Sequence, residues 1–155
     1  MSIRIEQKSA EKVVGLRVIG PYAQSIPPGC QRLMAWQQQH GVPLGKWLVL
    51  YWDDPAEVDP KKLRADVTFT VADDFVLPEG SEALSIQELP AGEYAIHRVR
   101  ITDGDFETAW SNFYQKVLPA SGYLPIDGVC YEHYLNDSDA DGYYDLDIYQ
   151  TVKKC

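Results

Sequence analysis

The segment "VVGLRVIG" (residues 13–20) recurs 81 residues later as "YAIHRVRI" (residues 94–101). Both copies place an Arg-Val pair among apolar and β-branched residues, a composition typical of half-buried strands. Similarity between two distant segments indicates an internal duplication when the segments around them repeat as well.

Two further segments repeat in the same order. "LVLYWDD" (residues 48–54) corresponds to "YEHYLND" (residues 131–137) at a separation of 83 residues, and "DVTFTV" (residues 66–71) corresponds to "DIYQTV" (residues 147–152) at 81. Between the first and second segments each half has a helical pattern. The chain is therefore predicted to contain two copies of a strand-helix-strand-strand unit, in which the last two strands form a hairpin.

The predicted fold class is α+β, with the duplicated modules in a pseudo-twofold arrangement and antiparallel sheets around a central cleft. Module one covers about residues 1–72, a linker about 73–82, and module two about 83–155, which opens with an added strand in "ALSIQEL". At 155 residues with 45% hydrophobic side chains, the whole chain is expected to fold as a single domain. Clefts at such junctions are favoured small-molecule sites.

Each module is predicted to contain one helix. The first covers about residues 29–40 and ends at a C-cap candidate, Gly41. The second lies behind two N-cap candidates, Asp103 and Asp105. Its apolar residues recur at three- and four-residue steps and predict a face packed on a sheet: Phe106, Ala109, Trp110, Phe113, Tyr114 and Val117.

The charge distribution argues against direct nucleic-acid binding. The net charge is -9, and residues 117–152 contain no Lys or Arg, whereas phosphate binding needs clustered cations. The same segment contains seven carboxylates: Asp127, Glu132, Asp137, Asp139, Asp141, Asp145 and Asp147. One face of the molecule is therefore expected to be acidic, either for solubility or for association.

The chain is expected to stay in the cytosol. No apolar run approaches the roughly 18 residues that a membrane helix needs, and the start "MSIRIEQKSAEK" lacks the apolar segment of a secretory signal. Three widely spaced cysteines, Cys30, Cys130 and Cys155, predict reduced thiols rather than a disulfide framework or a zinc site.

Glu132 breaks the match between the two copies in chemistry, because Val49 occupies the corresponding position. Alternation along the strand places Glu132 on the same face as Cys130 and Tyr134. A carboxylate among aromatic residues needs a hydrogen-bond donor or a cation. Glu132 is therefore a candidate anchor for a cationic or amphipathic ligand; the alternatives are a solvent-facing side chain and a structural ion pair with Arg98.

Four aromatic residues are further candidates for ligand contact. Tyr134 shares the strand of Glu132, while Trp47, Tyr51 and Trp52 lie on or next to the corresponding strand of the first module. Their rings would provide stacking or cation–π contacts to a ligand. For each of them, packing in the core is the alternative interpretation.

No catalytic residue, metal site or cofactor is predicted. The sequence has neither a glycine-rich phosphate loop nor a serine nucleophile elbow, and its histidines lack metal-ligand spacing. A nucleophilic pair of Cys130 with His97 or His133 stays open, although a lone buried thiol is usually inert.

The segment "LNDSDADGYYDLD" (residues 135–147) partly matches a calcium loop, through Asp137, Asp139, Asp141 and the following glycine. The twelfth position of that loop is Ile148, which has no oxygen ligand to offer, and both flanks have strand composition. The segment is therefore predicted to be a solvated hairpin turn.

Nine motifs in combination resemble those of the DNA gyrase inhibitor proteins of enteric bacteria: "VVGLRVIGPY", "LMAW", "YWDDP", "KLRADVTFTV", "LPEGSE", "GEYA", "DFETAW", "CYEHYLND" and "DGYYDLDIYQTV". Those proteins belong to the GyrI-like small-molecule-binding family, which also supplies effector domains to AraC-type and multidrug-responsive regulators. The resemblance covers nearly the whole chain and implies a duplicated fold around a cleft. Because no helix-turn-helix segment is present, the chain is similar to the stand-alone inhibitors.

The resemblance implies binding to DNA gyrase, damping of its supercoiling, and protection against gyrase poisons and DNA-damaging toxins. In the regulator relatives an acidic residue on the strand matching "CYEHYLND" contacts cationic drugs, so Glu132 takes that role by position. Some stand-alone relatives look like hydrolases of reactive small molecules, in which case Glu132 would act as a general base. An acidic surface that includes Asp137, Asp139 and Asp141 is a candidate gyrase contact, competing with DNA for a basic track.

Overall fold

The computed structural model describes residues 3–155, which form eight strands and four α-helical segments. The elements are β1 (Ile3–Lys8), β2 (Glu11–Ile19), α1 (Tyr22–His40), β3 (Trp47–Tyr51), β4 (Arg64–Val71), β5 (Ser85–Leu89), β6 (Gly92–Ile101), α2 (Phe106–Asn112), α3 (Leu118–Ala120), β7 (Tyr123–Tyr134), α4 (Ser138–Asp141) and β8 (Tyr144–Lys154). A 3₁₀ turn (Pro60–Lys62) precedes β4, and a π-helical turn (Phe113–Val117) joins α2 to α3. None of the helices described is long and apolar enough to span a membrane.

The strands belong to two units. The N-terminal unit comprises Ala10–Pro90, and the C-terminal unit comprises Ala91–Cys155 together with residues 3–9. The strand order is β5-β2-β4-β3 in the N-terminal unit and β1-β6-β8-β7 in the C-terminal unit, with antiparallel pairing throughout each. The α+β class with antiparallel sheets, predicted from the sequence, is confirmed.

The two sheets show the same register at one pair of strands. Arg17 on β2 lies opposite Asp66 on β4, as Arg98 on β6 lies opposite Asp147 on β8. In both pairs 49 residues separate the partners, and the arginine Nε donates to the aspartate, at 2.5 Å from Arg17 and at 3.0 Å from Arg98. This shared register supports the interpretation that the chain contains a duplicated unit.

The unit boundaries differ from the predicted module boundaries because one edge strand of each unit lies within the other predicted module. The sequence pattern groups β1 with residues 1–72, but β1 pairs with β6 and packs Ile3 and Ile5 against the core of the C-terminal unit. The strand predicted to open residues 83–155, β5, pairs with β2 and carries the buried Leu89. Alternation in a short strand encodes its apolar face, but not the strand that supplies its hydrogen bonds.

Helix α1 is longer than predicted. It begins at Tyr22 rather than near Gly29, and Pro27 and Pro28 lie inside it. Prolines normally end or kink a helix, which explains why the sequence pattern predicts a later start. Gly41 ends the helix as predicted, with a left-handed backbone (φ 61°) and an N–H directed at the carbonyls of the last turn.

Helix α2 begins at the predicted N-cap, Asp105, whose side chain accepts a hydrogen bond from the Thr108 N–H. After Asn112 the helix widens into the π-helical turn, where the Leu118 N–H donates to the Phe113 carbonyl, five residues earlier. Phe113 is completely buried and belongs to the core of the C-terminal unit. Such turns are uncommon and occur frequently at functional sites.

Candidate functional site

Glu132 lies on β7 opposite Ile148 of β8, and at the corresponding position of the N-terminal unit Val49 lies opposite Val67 of β4. Both Glu132 and Val49 are buried, and Glu132 is 0% exposed. The structure thus places a carboxylate where the other unit has an aliphatic side chain. Glu132 does not face solvent, which removes one of the alternatives raised by the sequence.

Two side chains donate hydrogen bonds to the carboxylate of Glu132. The indole N–H of Trp110 donates to Oε2 at 2.6 Å, and the hydroxyl of Tyr134 donates to Oε1 at 2.9 Å. Trp110 can reach Glu132 because α2 packs its apolar stripe on the sheet of the C-terminal unit. These hydrogen bonds offset part of the cost of burying a carboxylate. We call Glu132, Trp110 and Tyr134 the Glu132 cluster.

Arg98 does not form the ion pair with Glu132 that the sequence left open. It pairs with Asp147, through Nε at 3.0 Å and Nη2 at 3.1 Å, and Arg4 adds a contact to the same carboxylate at 3.4 Å. Burial raises the pKa of the Asp147 carboxyl, but the hydrogen bonds and charges of the two arginines outweigh it and leave the pKa lowered. The structural ion pair of β6 and β8 is therefore separate from the Glu132 cluster.

The structure brings one of the predicted aromatic residues, Tyr134, to Glu132. The other three, Trp47, Tyr51 and Trp52, belong to the N-terminal unit. Within that unit Trp47 packs edge-to-face on Phe69 and Tyr51 packs edge-to-face on Tyr22. Trp52 donates a hydrogen bond from Nε1 to Asp66 Oδ2 at 2.7 Å, and Arg17 lies over its ring. A ligand-binding role for these three residues stays a prediction.

The sequence pattern did not single out Trp110, which donates to Glu132, or Tyr114 and Gln150, whose side chains share a hydrogen bond. Trp110 and Tyr114 were indistinguishable from the core stripe of α2, because a helical periodicity says nothing about an indole N–H or a hydroxyl. Gln150 did leave a signal: it occupies the position of Phe69 in the first copy. The same comparison that singles out Glu132 therefore also finds Gln150.

The acidic segment after β7 is a turn between β7 and β8, as predicted, and it contains the short helix α4. Asp137 caps α4 by accepting hydrogen bonds from the N–H groups of Asp139 and Ala140, and Gly142 ends it with φ 80°. Asp137, Asp139 and Asp141 are all exposed. Within residues 3–155 no group of three or more His, Cys, Asp or Glu side chains is arranged to hold a metal ion.

We expect the three cysteines to differ sharply in reactivity. Burial raises the pKa of the Cys30 and Cys130 thiols to about 11, so the reactive thiolate is scarce near neutral pH, whereas Cys155 is exposed. Alkylation by iodoacetamide at pH 8, followed by peptide mass spectrometry, should label Cys155 in the folded protein and the other two only after unfolding in urea. Labelling of Cys130 as fast as that of Cys155 would instead support Cys130 as a thiolate nucleophile.

Comparison with known proteins gives the family of the chain. The family model described as "GyrI-like small molecule binding domain" matches residues 1–153. A protein of Serratia proteamaculans named "DNA gyrase inhibitor" is 75% identical over 155 residues, which cover 99% of each chain.

Two solved structures share the fold. The EcmrR C-terminal domain matches with a TM-score of 0.71 at 16% identity, covering 99% of this chain and 98% of that chain. SAV2435 bound to tetraphenylphosphonium matches with a TM-score of 0.61 at 12% identity, covering 99% and 94%. At these identities the likeness shows the fold alone. The family match and the curated relative show more: the chain belongs to the GyrI-like small-molecule-binding domain family.

Proposed function

We propose that the protein is a DNA gyrase inhibitor of the cytoplasm that binds gyrase and damps its supercoiling activity, and thereby protects against gyrase poisons and DNA-damaging toxins. The observation that carries this proposal is the 75% identity to the Serratia proteamaculans DNA gyrase inhibitor, which extends over 99% of both chains.

The same protein is proposed to bind small cationic or amphipathic molecules at the Glu132 cluster. The donors that Trp110 and Tyr134 supply are neutral, so a bound cation adds Coulomb attraction that neither group provides. The displaced indole and phenol rings can stack on the ligand or face its charge. Because Glu132 is completely buried, a ligand can reach it only if side chains around it move, and we propose Trp110 and Tyr134, which contact the two carboxylate oxygens, as those side chains.

The proposed contact with gyrase is the acidic surface formed by the turn between β7 and β8. Asp137, Asp139 and Asp141 are exposed there, in a segment without Lys or Arg from residue 117 to residue 152. A surface of this kind competes with DNA for a basic track by electrostatic complementarity. Such competition is screened by salt, because the charges are exposed to solvent.

A supercoiling assay with purified gyrase and relaxed plasmid tests this proposal. Wild type should inhibit, and the triple variant D137N/D139N/D141N should need about tenfold more protein, since three exposed charges contribute about 0.5 kcal/mol each. The matched control D73N/D74N/E79Q removes three exposed charges from the N-terminal unit and should inhibit like wild type. Inhibition should also weaken steeply as salt increases.

The inhibitor function and the acidic contact surface are contradicted by different results of this assay. Failure of the wild-type protein to inhibit gyrase at low salt would contradict the inhibitor function. Inhibition that is insensitive both to salt and to the triple variant would leave the function in place and contradict the acidic contact surface.

Hydrolysis of reactive small molecules is the competing function. Both carboxylate oxygens of Glu132 already accept side-chain hydrogen bonds, whereas a general base must direct an oxygen at a water or a substrate proton. The geometry therefore favours binding. Incubation with an electrophilic toxin followed by product analysis separates the two, because a binding protein protects stoichiometrically and an enzyme turns its substrate over.

A further inference from the structure

A second layer of side chains lies behind the Glu132 cluster in the C-terminal unit. The ring of Tyr114 stacks on the indole of Trp110, with centroids 5.8 Å apart and an angle of 27° between the planes. The hydroxyl of Tyr114 donates to Oε1 of Gln150 at 2.5 Å. Tyr114 thus connects Trp110, which donates a hydrogen bond to Glu132, to the buried Gln150 on β8.

Gln150 is a rigid acceptor for this hydrogen bond. It is buried, and its amide Nε2 donates to the carbonyls of Thr151 at 2.9 Å and Ile126 at 3.3 Å. These bonds fix the amide so that Oε1 is directed at Tyr114. A rigid acceptor holds the Tyr114 ring in one position, and the ring in turn limits where the Trp110 indole can move.

The π-helical turn positions the Tyr114 ring beside Trp110. Tyr114 lies in that turn, four residues after Trp110, next to Phe113, which is completely buried. The Phe113 ring packs edge-on against the rings of Trp110 and Tyr114, with ring centroids 6.3 Å apart for Trp110 and 5.2 Å apart for Tyr114. Phe113 therefore anchors the turn to the core, while Tyr114 stays 37% exposed beside it.

We propose that Tyr114 and Gln150 are a positioning pair that sets the affinity of the Glu132 cluster for cations. Their hydrogen bond stabilises the closed arrangement, in which the Trp110 indole covers the carboxylate. This inference rests on the proposed binding of cations at Glu132, because a positioning pair affects affinity only if the carboxylate is the anchor.

The expected effect follows from a two-state equilibrium between covered and uncovered Glu132. A ligand that binds only the uncovered state has its apparent affinity reduced by the fraction of molecules in that state. One neutral hydrogen bond shifts such an equilibrium by roughly three- to tenfold. Removing the bond should therefore strengthen cation binding by about that factor.

Hydrogen exchange of the Trp110 indole N–H measures the covered state directly. The chain has four tryptophans, and the variant W110F identifies the Trp110 signal in a proton-nitrogen correlation spectrum. In the variant Y114F, which keeps the stacked ring and removes the hydroxyl, this signal should exchange roughly three- to tenfold faster than in wild type. Unchanged exchange in Y114F would overturn the positioning pair.

A second variant and a matched control keep the test specific. Q150L removes the acceptor of the same bond, so Q150L and the double variant Y114F/Q150L should exchange like Y114F rather than additively. The Tyr114 hydroxyl also interacts with the Cys130 thiol. If the exchange rates of the two single variants add in the double variant, the effect of Y114F comes from the contact with Cys130 and not from the bond to Gln150. The control Y22F removes a hydroxyl that bonds backbone carbonyls of the N-terminal unit, and it should leave Trp110 exchange unchanged.

Titration calorimetry with tetraphenylphosphonium separates failure of the inference from failure of the proposed function. Tighter binding by Y114F together with faster exchange supports both. Faster exchange without detectable binding in either protein shows that the bond between Tyr114 and Gln150 restrains the Trp110 indole, but contradicts cation binding and with it any effect of the pair on cation affinity. Binding that is equal in wild type and Y114F, with unchanged exchange, supports the site and overturns the positioning pair.

Discussion

The variant Glu132→Gln should lose most of its affinity for tetraphenylphosphonium while keeping the fold. The amide has the shape of the carboxylate: its oxygen can accept from the Trp110 indole and its NH2 can donate to the Tyr134 hydroxyl, but it has no charge to attract a cation. Removing one charge from a buried site is expected to cost roughly 2–4 kcal/mol of binding free energy, which is at least about 30-fold in affinity. Titration calorimetry measures this loss.

The control for this experiment is Glu107→Gln. Glu107 lies on α2, the helix that carries Trp110, but it is exposed. It therefore changes the net charge by the same amount without touching the Glu132 cluster, and its affinity should equal that of wild type. Equal affinity for wild type and the Glu132 variant would show that the ligand is bound elsewhere.

The variant Asp147→Asn should be the most destabilising charge substitution in the C-terminal unit. Asp147 is 2% exposed and pairs with Arg98 and Arg4. Breaking a buried pair costs about 3–5 kcal/mol, and we expect about 2–3 kcal/mol because both arginines reach solvent. Urea unfolding measures the loss. Asp145→Asn, which removes the partner of the exposed Arg100, should lose much less stability.

The pH dependence of stability gives an independent check on Asp147. Its pKa is lowered in the folded protein, so its contribution is fully present above the unfolded value, about 3.9, and is lost as pH falls through the folded value. The stability gap between wild type and Asp147→Asn should therefore be constant near neutral pH and narrow in acid. A gap that stays the same down to pH 2 would contradict the ion pair.

Local sequence signals predicted the parts of the fold that depend on neighbouring residues. Asp105 and Gly41 were recognisable as helix caps because a cap depends on the first or last turn alone. The repeat singled out Glu132 by its mismatch with Val49 but left a solvent-facing side chain open, whereas the structure buries both residues, Glu132 opposite Ile148 and Val49 opposite Val67. Because the two copies share a structural plan, a difference in chemistry between equivalent positions points to a residue that the fold alone does not require.

Features that depend on tertiary contacts could not be predicted in this way. The edge strands β1 and β5 each belong to the unit other than the one that the predicted module boundaries imply. Their partners are determined by packing, and the alternation of apolar residues does not specify a partner strand. Trp110 appeared only as an apolar residue on a helical stripe, although its N–H is directed at a carboxylate 22 positions further along the chain. The start of α1 was missed since Pro27 and Pro28 normally mark a boundary.

The position of the bound cation tests the account most directly. Tetraphenylphosphonium should be titrated into wild type and Glu132→Gln while the four indole N–H signals are followed by nuclear magnetic resonance. We expect the Trp110 signal to shift most in wild type, as the indole leaves the carboxylate, and not to shift in the variant. A Trp110 signal that stays in place while the cation binds, or that shifts equally in both proteins, would contradict it.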